Sequence, residues 1–436
     1  MTAPSRRGFL RSGAAMLAGS AALGSISGLG ATAASAPASA RGARARRDDE
    51  LAVGVIGCGG RGTGAATDAL RADPSVRIAA LADAFPDRIE RARTALAEHD
   101  ASRATVDASR CFTGFDAATK LLALDLDVVI LATPPGFRPG HFSAAVDAGR
   151  HVFLEKPAAV CPAGVRQVID ASRRADEKGL CVVAGTQRRH QKSYLEAMRR
   201  LRDGAIGRPV AARSFWNMGD LWVVAPDPAR SDVENQLRNW LYHTWLSGDH
   251  IVEQHVHNID VVNWAFDAHP IRACAVGGRQ SRTDPKYGHV YDHFAVDFEY
   301  PDGRFALSMA RQQKGTTERV EEIIHGADGM MRLSPGEAEV RGSRPWRYDG
   351  PNPSPFVAEH AALFDAIRGG TRVNESRTIA ESTLSAIMGR IAAYTGQDLT
   401  WDQAMSHELD MRPPADLSFS SRPQDPVAIP GRAAKA

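Results

Sequence analysis

Near its start the chain runs Val53-Gly54-Val55-Ile56 into Gly57-Cys58-Gly59-Gly60-Arg61-Gly62, then a helical stretch from Thr63 to Arg71 and a second strand ending Ala79-Ala80-Leu81-Ala82-Asp83. A GxGxxG turn between a strand and a helix admits few folds. The glycines allow a tight turn and close approach of backbone N–H groups to a pyrophosphate, and the helix N-terminus favours its charge. Asp83 follows at the end of the second strand, where a carboxylate accepts from both ribose hydroxyls. Gly57, Gly59, Gly60, Arg61, Gly62 and Asp83 are therefore expected to hold a dinucleotide. Asp83 favours NAD because a carboxylate repels a 2′-phosphate, although Arg88 nearby leaves NADP possible.

Short apolar runs alternate with amphipathic stretches from Leu51 onward: Leu51 to Ile56, Arg77 to Ala82, Val128 to Ala132, His151 to Leu154 and Leu180 to Ala184. Such alternation predicts a parallel sheet with crossover helices. After Gly185 period-2 runs take over, at Val210 to Trp216, Val290 to Tyr300 and Arg304 to Arg311, with turn signals such as Pro301-Asp302-Gly303. These predict a mostly antiparallel sheet. Helical patterns from Phe356 to Arg368 and from Arg377 to Thr395 follow, each ended by glycine. The expected organisation is an N-terminal doubly wound Rossmann α/β domain over 51–185, and an α+β domain with a large, mostly antiparallel open sheet over 186–405. The last two helices are placed to pack back on the first domain, and a Pro-rich tail over 406–436 to wrap the surface.

The first forty residues hold three Arg and no acid: Ser5-Arg6-Arg7-Gly8-Phe9-Leu10-Arg11 precedes an Ala/Gly/Leu stretch and the small-residue sites Ala34-Ser35-Ala36 and Ala38-Ser39-Ala40. This is similar to a twin-arginine (Tat) export signal over 1–40 with a linker over 41–50. A Sec signal or a membrane anchor is the competing reading. Pro37 disfavours the first site, so cleavage is expected after Ala40, giving a mature protein outside the cytoplasm with no membrane span. Of 53 Lys and Arg against 51 Asp and Glu, the rest of the chain keeps one net negative charge. That offers no broad surface for nucleic acid. Five scattered cysteines without a CxxC pair indicate neither a disulfide scaffold nor a zinc knuckle.

Farther on stand Ala132-Thr133-Pro134-Pro135, His141, and Gly149-Arg150-His151-Val152-Phe153-Leu154-Glu155-Lys156-Pro157. Together with the opening turn these resemble the Gfo/Idh/MocA family, the glucose-fructose oxidoreductase and inositol dehydrogenase group, over most of residues 51–405. The resemblance implies a bound nicotinamide nucleotide touching Thr133, Pro134, His141, Glu155 and Lys156, a sugar or cyclitol substrate, and a homo-oligomer. Lys156, at the end of a parallel strand, sits where ligands gather in a doubly wound sheet. A lysine there is able to bridge the nicotinamide ribose and the substrate hydroxyl.

From Ser247 to Val262 the pattern predicts one helix with His250, Glu253, His257 and Asp260 on one stripe and Val252, Val256, Ile259 and Val262 on another. The family helix carries Asp and then His four residues later. Here Glu253 and His257 match, with His257 as proton acceptor beside Lys156 and with His250 and Asp260 toward the substrate. His250, Glu253 and His257 are also a candidate metal set, although no HExxH is present and no metal is expected. Arg188 and Arg189 in Gln187-Arg188-Arg189-His190 either bind substrate or hold acids. Trp216, Trp222, Trp240 and Trp245 are candidate sugar platforms, of which one or two are expected to face the cleft.

Export adds a constraint, because free NAD is scarce outside the cytoplasm and a cofactor carried across must stay bound. Two functions follow. One is an exported oxidoreductase moving hydride between the nucleotide and a sugar or cyclitol hydroxyl. The alternative is an NAD-dependent glycoside hydrolase or lyase, similar to the family's N-acetylgalactosaminidases, that oxidises transiently, eliminates, and returns the hydride.

Overall fold

The computed structural model describes residues 49–432, so the Tat segment, its cleavage site and nearly all of the linker lie outside the described residues. Six parallel strands, β1 (Leu51–Ile56), β2 (Val76–Asp83), β3 (Cys111–Thr113), β4 (Val128–Leu131), β5 (His151–Leu154) and β6 (Val182–Ala184), form a sheet in the order β3-β2-β1-β4-β5-β6. The order reverses between β1 and β4, which opens a crevice at the strands' carboxyl ends. Four helices flank this sheet and matter here: α1 (Gly60–Ala72), α2 (Pro86–His99), α3 (Arg138–Asp147) and α4 (Pro162–Lys178). Every residue of β1 and β4 to β6 is apolar or glycine apart from His151, as a strand covered on both faces requires.

The second sheet has nine strands: β7 (Pro209–Met218), β8 (Arg272–Gly278), β9 (His293–Glu299), β10 (Phe305–Gln312), β11 (Arg319–Gly326), β12 (Gly329–Leu333), β13 (Ala338–Gly342), β14 (Trp346–Arg347) and β15 (Leu399–Thr400). Their order is β14-β13-β12-β11-β7-β10-β9-β8-β15, antiparallel except for the parallel pair β7 and β10. Along β10, Ala306, Ser308 and Ala310 are buried under helices while Phe305, Leu307 and Met309 face outward. Strand β3 and the β8 and β11 to β13 segments carry too weak an alternation to be read from sequence.

Helices α5 (Asp232–Arg238), α6 (His250–Glu253) and α7 (Val256–Phe266) lie between β7 and β8. The single helix expected from Ser247 to Val262 is broken at Gln254 and His255. The Gln254 side chain is taken by Gln312, and His255 Nε2 lies 2.6 Å from the Ser308 hydroxyl, so the sheet claims both residues. The break rotates His250 away from the stripe it was expected to share.

Of the two closing helices, α8 (Pro355–Gly369) sends Leu363, Phe364 and Ile367 into the core built by Val53, Val55, Ile130 and Phe153 of the first sheet. The other, α9 (Ser376–Thr395), is buried along nearly its whole length in the core of the second domain. Left-handed Gly370 and Gly396 end them. Among the described residues no helix is long and apolar enough to cross a membrane. All five cysteines are free thiols.

Candidate active site

The turn after β1 works only with glycine at two points. Gly57 has φ of +96°, and a Cβ there would lie 2.6 Å from the Ala132 carbonyl carbon. A Cβ on Gly62 would lie 1.7 Å from the Gly57 carbonyl oxygen, so α1 packs directly on the turn. The first amides of α1 have no intrahelical acceptor, and its first turn carries no acid. That end suits an anion. Asp83 accepts from the Cys58 amide at 2.8 Å and the Phe85 amide at 3.0 Å. Burial pushes its carboxyl up, against the pull of those amides and of Arg88.

From Asp83 a cleft runs past Phe85, Phe115, Thr133, Pro134 and His141. His141 Nδ1 lies 3.1 Å from the Thr133 hydroxyl, and burial, helped by Arg138, lowers it to about 4, so it is neutral at pH 7. Turn, carboxylate and cleft together fit a dinucleotide: N–H groups at one end, a ribose acceptor at the other, apolar walls between.

Arg61 and Glu155, expected at the nucleotide, are paired with each other. The Arg61 guanidinium also meets Glu359 at 3.3 Å and Asp68 at 3.6 Å. They brace the turn against β5 and α8. Glu359 has no sequence signal, because its partner is 298 residues away.

Beyond Glu155, the Lys156–Pro157 peptide is cis, and Arg138 donates to both carbonyl oxygens, a clamp without a sequence signature. Lys156 Nζ donates to the Glu253 carbonyl oxygen at 2.7 Å and to its carboxylate at 2.8 Å. An ammonium has three N–H groups. One remains for another oxygen. Glu253 thus serves the lysine rather than His257.

His257 stacks on Trp216, ring centroids 5.7 Å apart at 20°. Asn258 beside it donates to the Phe215 and Glu321 carbonyls and pins α7 to β7 and β11. Burial, then the charges of Lys156 and Arg188, hold His257 well below the usual histidine range. The structure thus brings together Lys156, Glu253, His257 and, from the four tryptophans, Trp216. Trp245 is buried, donating to Gln236 at 2.7 Å, while Trp222 is exposed with Trp240 6.0 Å away.

The four residues expected toward the substrate are each buried or paired within the protein. His250 is buried edge-on to Phe294 at 5.1 Å, and both ring nitrogens lack a partner. Arg188 is paired with Glu322, which Tyr194 also reaches at 3.0 Å; burial raises Glu322 to about 7. Arg189 forms a two-pronged pair with Asp260 at 2.8 and 2.9 Å, and the Ser382 hydroxyl donates to the same carboxylate. These charges hold buried acids, and those acids are 71 and 134 residues distant. Among the described residues no group of three or more His, Cys, Asp or Glu is placed to hold a metal ion.

A dinucleotide cleft at a sheet's switch point, with an ammonium and a neutral imidazole beyond it, is the arrangement of a nicotinamide-dependent oxidoreductase on a Rossmann domain. The chain belongs to the Gfo/Idh/MocA oxidoreductase family: the family's NAD-binding Rossmann fold matches residues 51–186 and its C-terminal domain residues 194–332. It is 28% identical over 251 residues to inositol 2-dehydrogenase of Acidothermus cellulolyticus, covering 56% of this chain and 64% of that protein. It is 24% identical over 210 residues to 2,7-anhydro-N-acetylneuraminate hydratase of Escherichia coli, covering 48% and 51%. The match thus spans less than two thirds of either relative. The fold is that of the aldose-aldose oxidoreductase from Caulobacter crescentus complexed with glycerol, with TM-score 0.63, 20% identity, and 80% and 99% of the two chains covered.

Proposed function

We propose that the protein transfers hydride between a retained NAD and a carbon bearing a hydroxyl on a sugar or cyclitol. The observation that carries this reading is the unspent N–H of Lys156, beside an imidazole that is neutral at pH 7. When bound, the nicotinamide ring accepts or returns the hydride. Lys156 donates to the substrate oxygen and stabilises the developing alkoxide, while His257 takes the hydroxyl proton. Glu253 fixes the ammonium, and Trp216 fixes the imidazole plane. The test is as-isolated protein given a panel of sugars and cyclitols with NAD reduction followed at 340 nm; no reduction and no oxidised product would sink the reading.

The hydratase relative favours a second reading, in which a transient oxidation opens the way to elimination or hydration and the same hydride returns. Products of unchanged oxidation state from glycosides or anhydrosugars would select it. Export by the Tat pathway, supported by Ser5-Arg6-Arg7-Gly8-Phe9-Leu10-Arg11, and periplasmic or extracellular work are part of the same proposal. So is a homo-oligomer through the outer face of the second sheet, where Phe305, Leu307, Met309 and Val276 are exposed.

A further inference from the structure

After Ser406 the chain forms neither helix nor strand, yet it is tied down along a path that crosses both domains. Arg166 of α4 donates to the His407 carbonyl at 3.0 Å, and the Met411 amide meets Cys161 Sγ at 3.2 Å. Next, Leu417 packs on the cluster of Phe85, Leu237 and Trp245. The Phe419 ring then sits 4.7 Å from Phe115 and 5.6 Å from Phe85, the two aromatic walls of the nucleotide cleft at its Asp83 end. Beyond it, Val233 and Gln236 of α5 donate to the Ser420 and Arg422 carbonyls, Arg422 lies over Trp245 at 4.3 Å, and Tyr291 donates to Ala428. From the other side Leu237 lines the same cleft, while Arg238 pairs with Asp87 at 3.1 Å and covers the Phe85 ring at 4.1 Å.

We propose that this C-terminal strap, with Phe419 as its keystone, is part of the nucleotide site and sets how slowly the dinucleotide leaves. The second domain and the tail meet over the two rings that wall the Asp83 end, so that end opens only when the strap lifts or Phe85 and Phe115 part. Main-chain bonds to α5 on one side and Met411 and Arg166 on the other hold Phe419 in place. The inference rests on the nucleotide site alone and is independent of the substrate.

The experiment loads the full chain with NAD, chases with excess isotopically labelled NAD and reads exchange by mass spectrometry, with a thermal melt on every sample. Stoichiometric NAD on the wild type tests the site itself. Exchange at least tenfold faster in Phe419→Ala, and in a chain ending at Ser406, with slow exchange recovered in Phe419→Tyr, is the expected result. Exchange within twofold of wild type in folded Phe419→Ala overturns the proposal, whether or not the shortened chain folds.

Discussion

In the proposed reaction Lys156 and His257 act on one substrate oxygen, and the surroundings of His257 set its resting form. Lys156→Ala and His257→Ala are each expected to lower turnover by ~10² or more, with bound nucleotide and melting temperature nearly unchanged. A side chain with only a supporting role would shift the melt first. The pH profile is a separate check. A histidine whose pKa lies below the ordinary 6.5 releases its proton at lower pH, so the basic form is the resting form throughout the neutral range. The acid limb of kcat/KM is therefore expected below pH 6.5, with no loss between 6.5 and 7.5. A limb centred at 7 or above removes His257 as the base.

The two-pronged Arg189–Asp260 pair, capped by Ser382, joins the 187–190 turn to α7 and α9. Breaking a buried ion pair from one side costs about 3–5 kcal/mol. Asp260→Ala is expected to lose stability of that order in a urea melt, with KM per folded molecule unchanged; a raised KM with an unchanged melt would return Asp260 to the substrate. The pair also marks how far sequence reaches. The Gly57 to Gly62 turn and Asp83 are legible because strand, turn, helix and acid are local. So is Glu155-Lys156-Pro157 at the end of a short apolar strand. The break at Gln254 is not, since the 3.6-residue pattern continues through it and only Gln312 and Ser308, on a strand some fifty residues later, reveal the interruption. Arg188, Arg189 and Asp260 look like site residues for the same reason: a charge in sequence does not show its distant partner.

At the scale of the molecule, four apolar side chains on β8 and β10, the strands on either side of β9, are open to water on one sheet face, and the proposed homo-oligomer would bury them. Leu307→Glu with Phe305→Glu is expected to lower the mass measured by light scattering to that of one chain; an unchanged oligomer puts the contact elsewhere. Arg6→Lys with Arg7→Lys is expected to stop export and leave folded protein in the cytoplasm, which cell fractionation reads directly. Undiminished export would indicate a Sec signal. Helix α8 gives these events an order in time. Its Leu363 and Phe364 complete the core of a sheet whose last strand ends at Ala184. At a pace of about 5–20 residues per second, the ribosome finishes that sheet roughly ten seconds or more before α8 emerges. For that interval the nascent first domain lacks part of its own core, so in the proposed export that domain becomes folded cargo only once α8 has emerged.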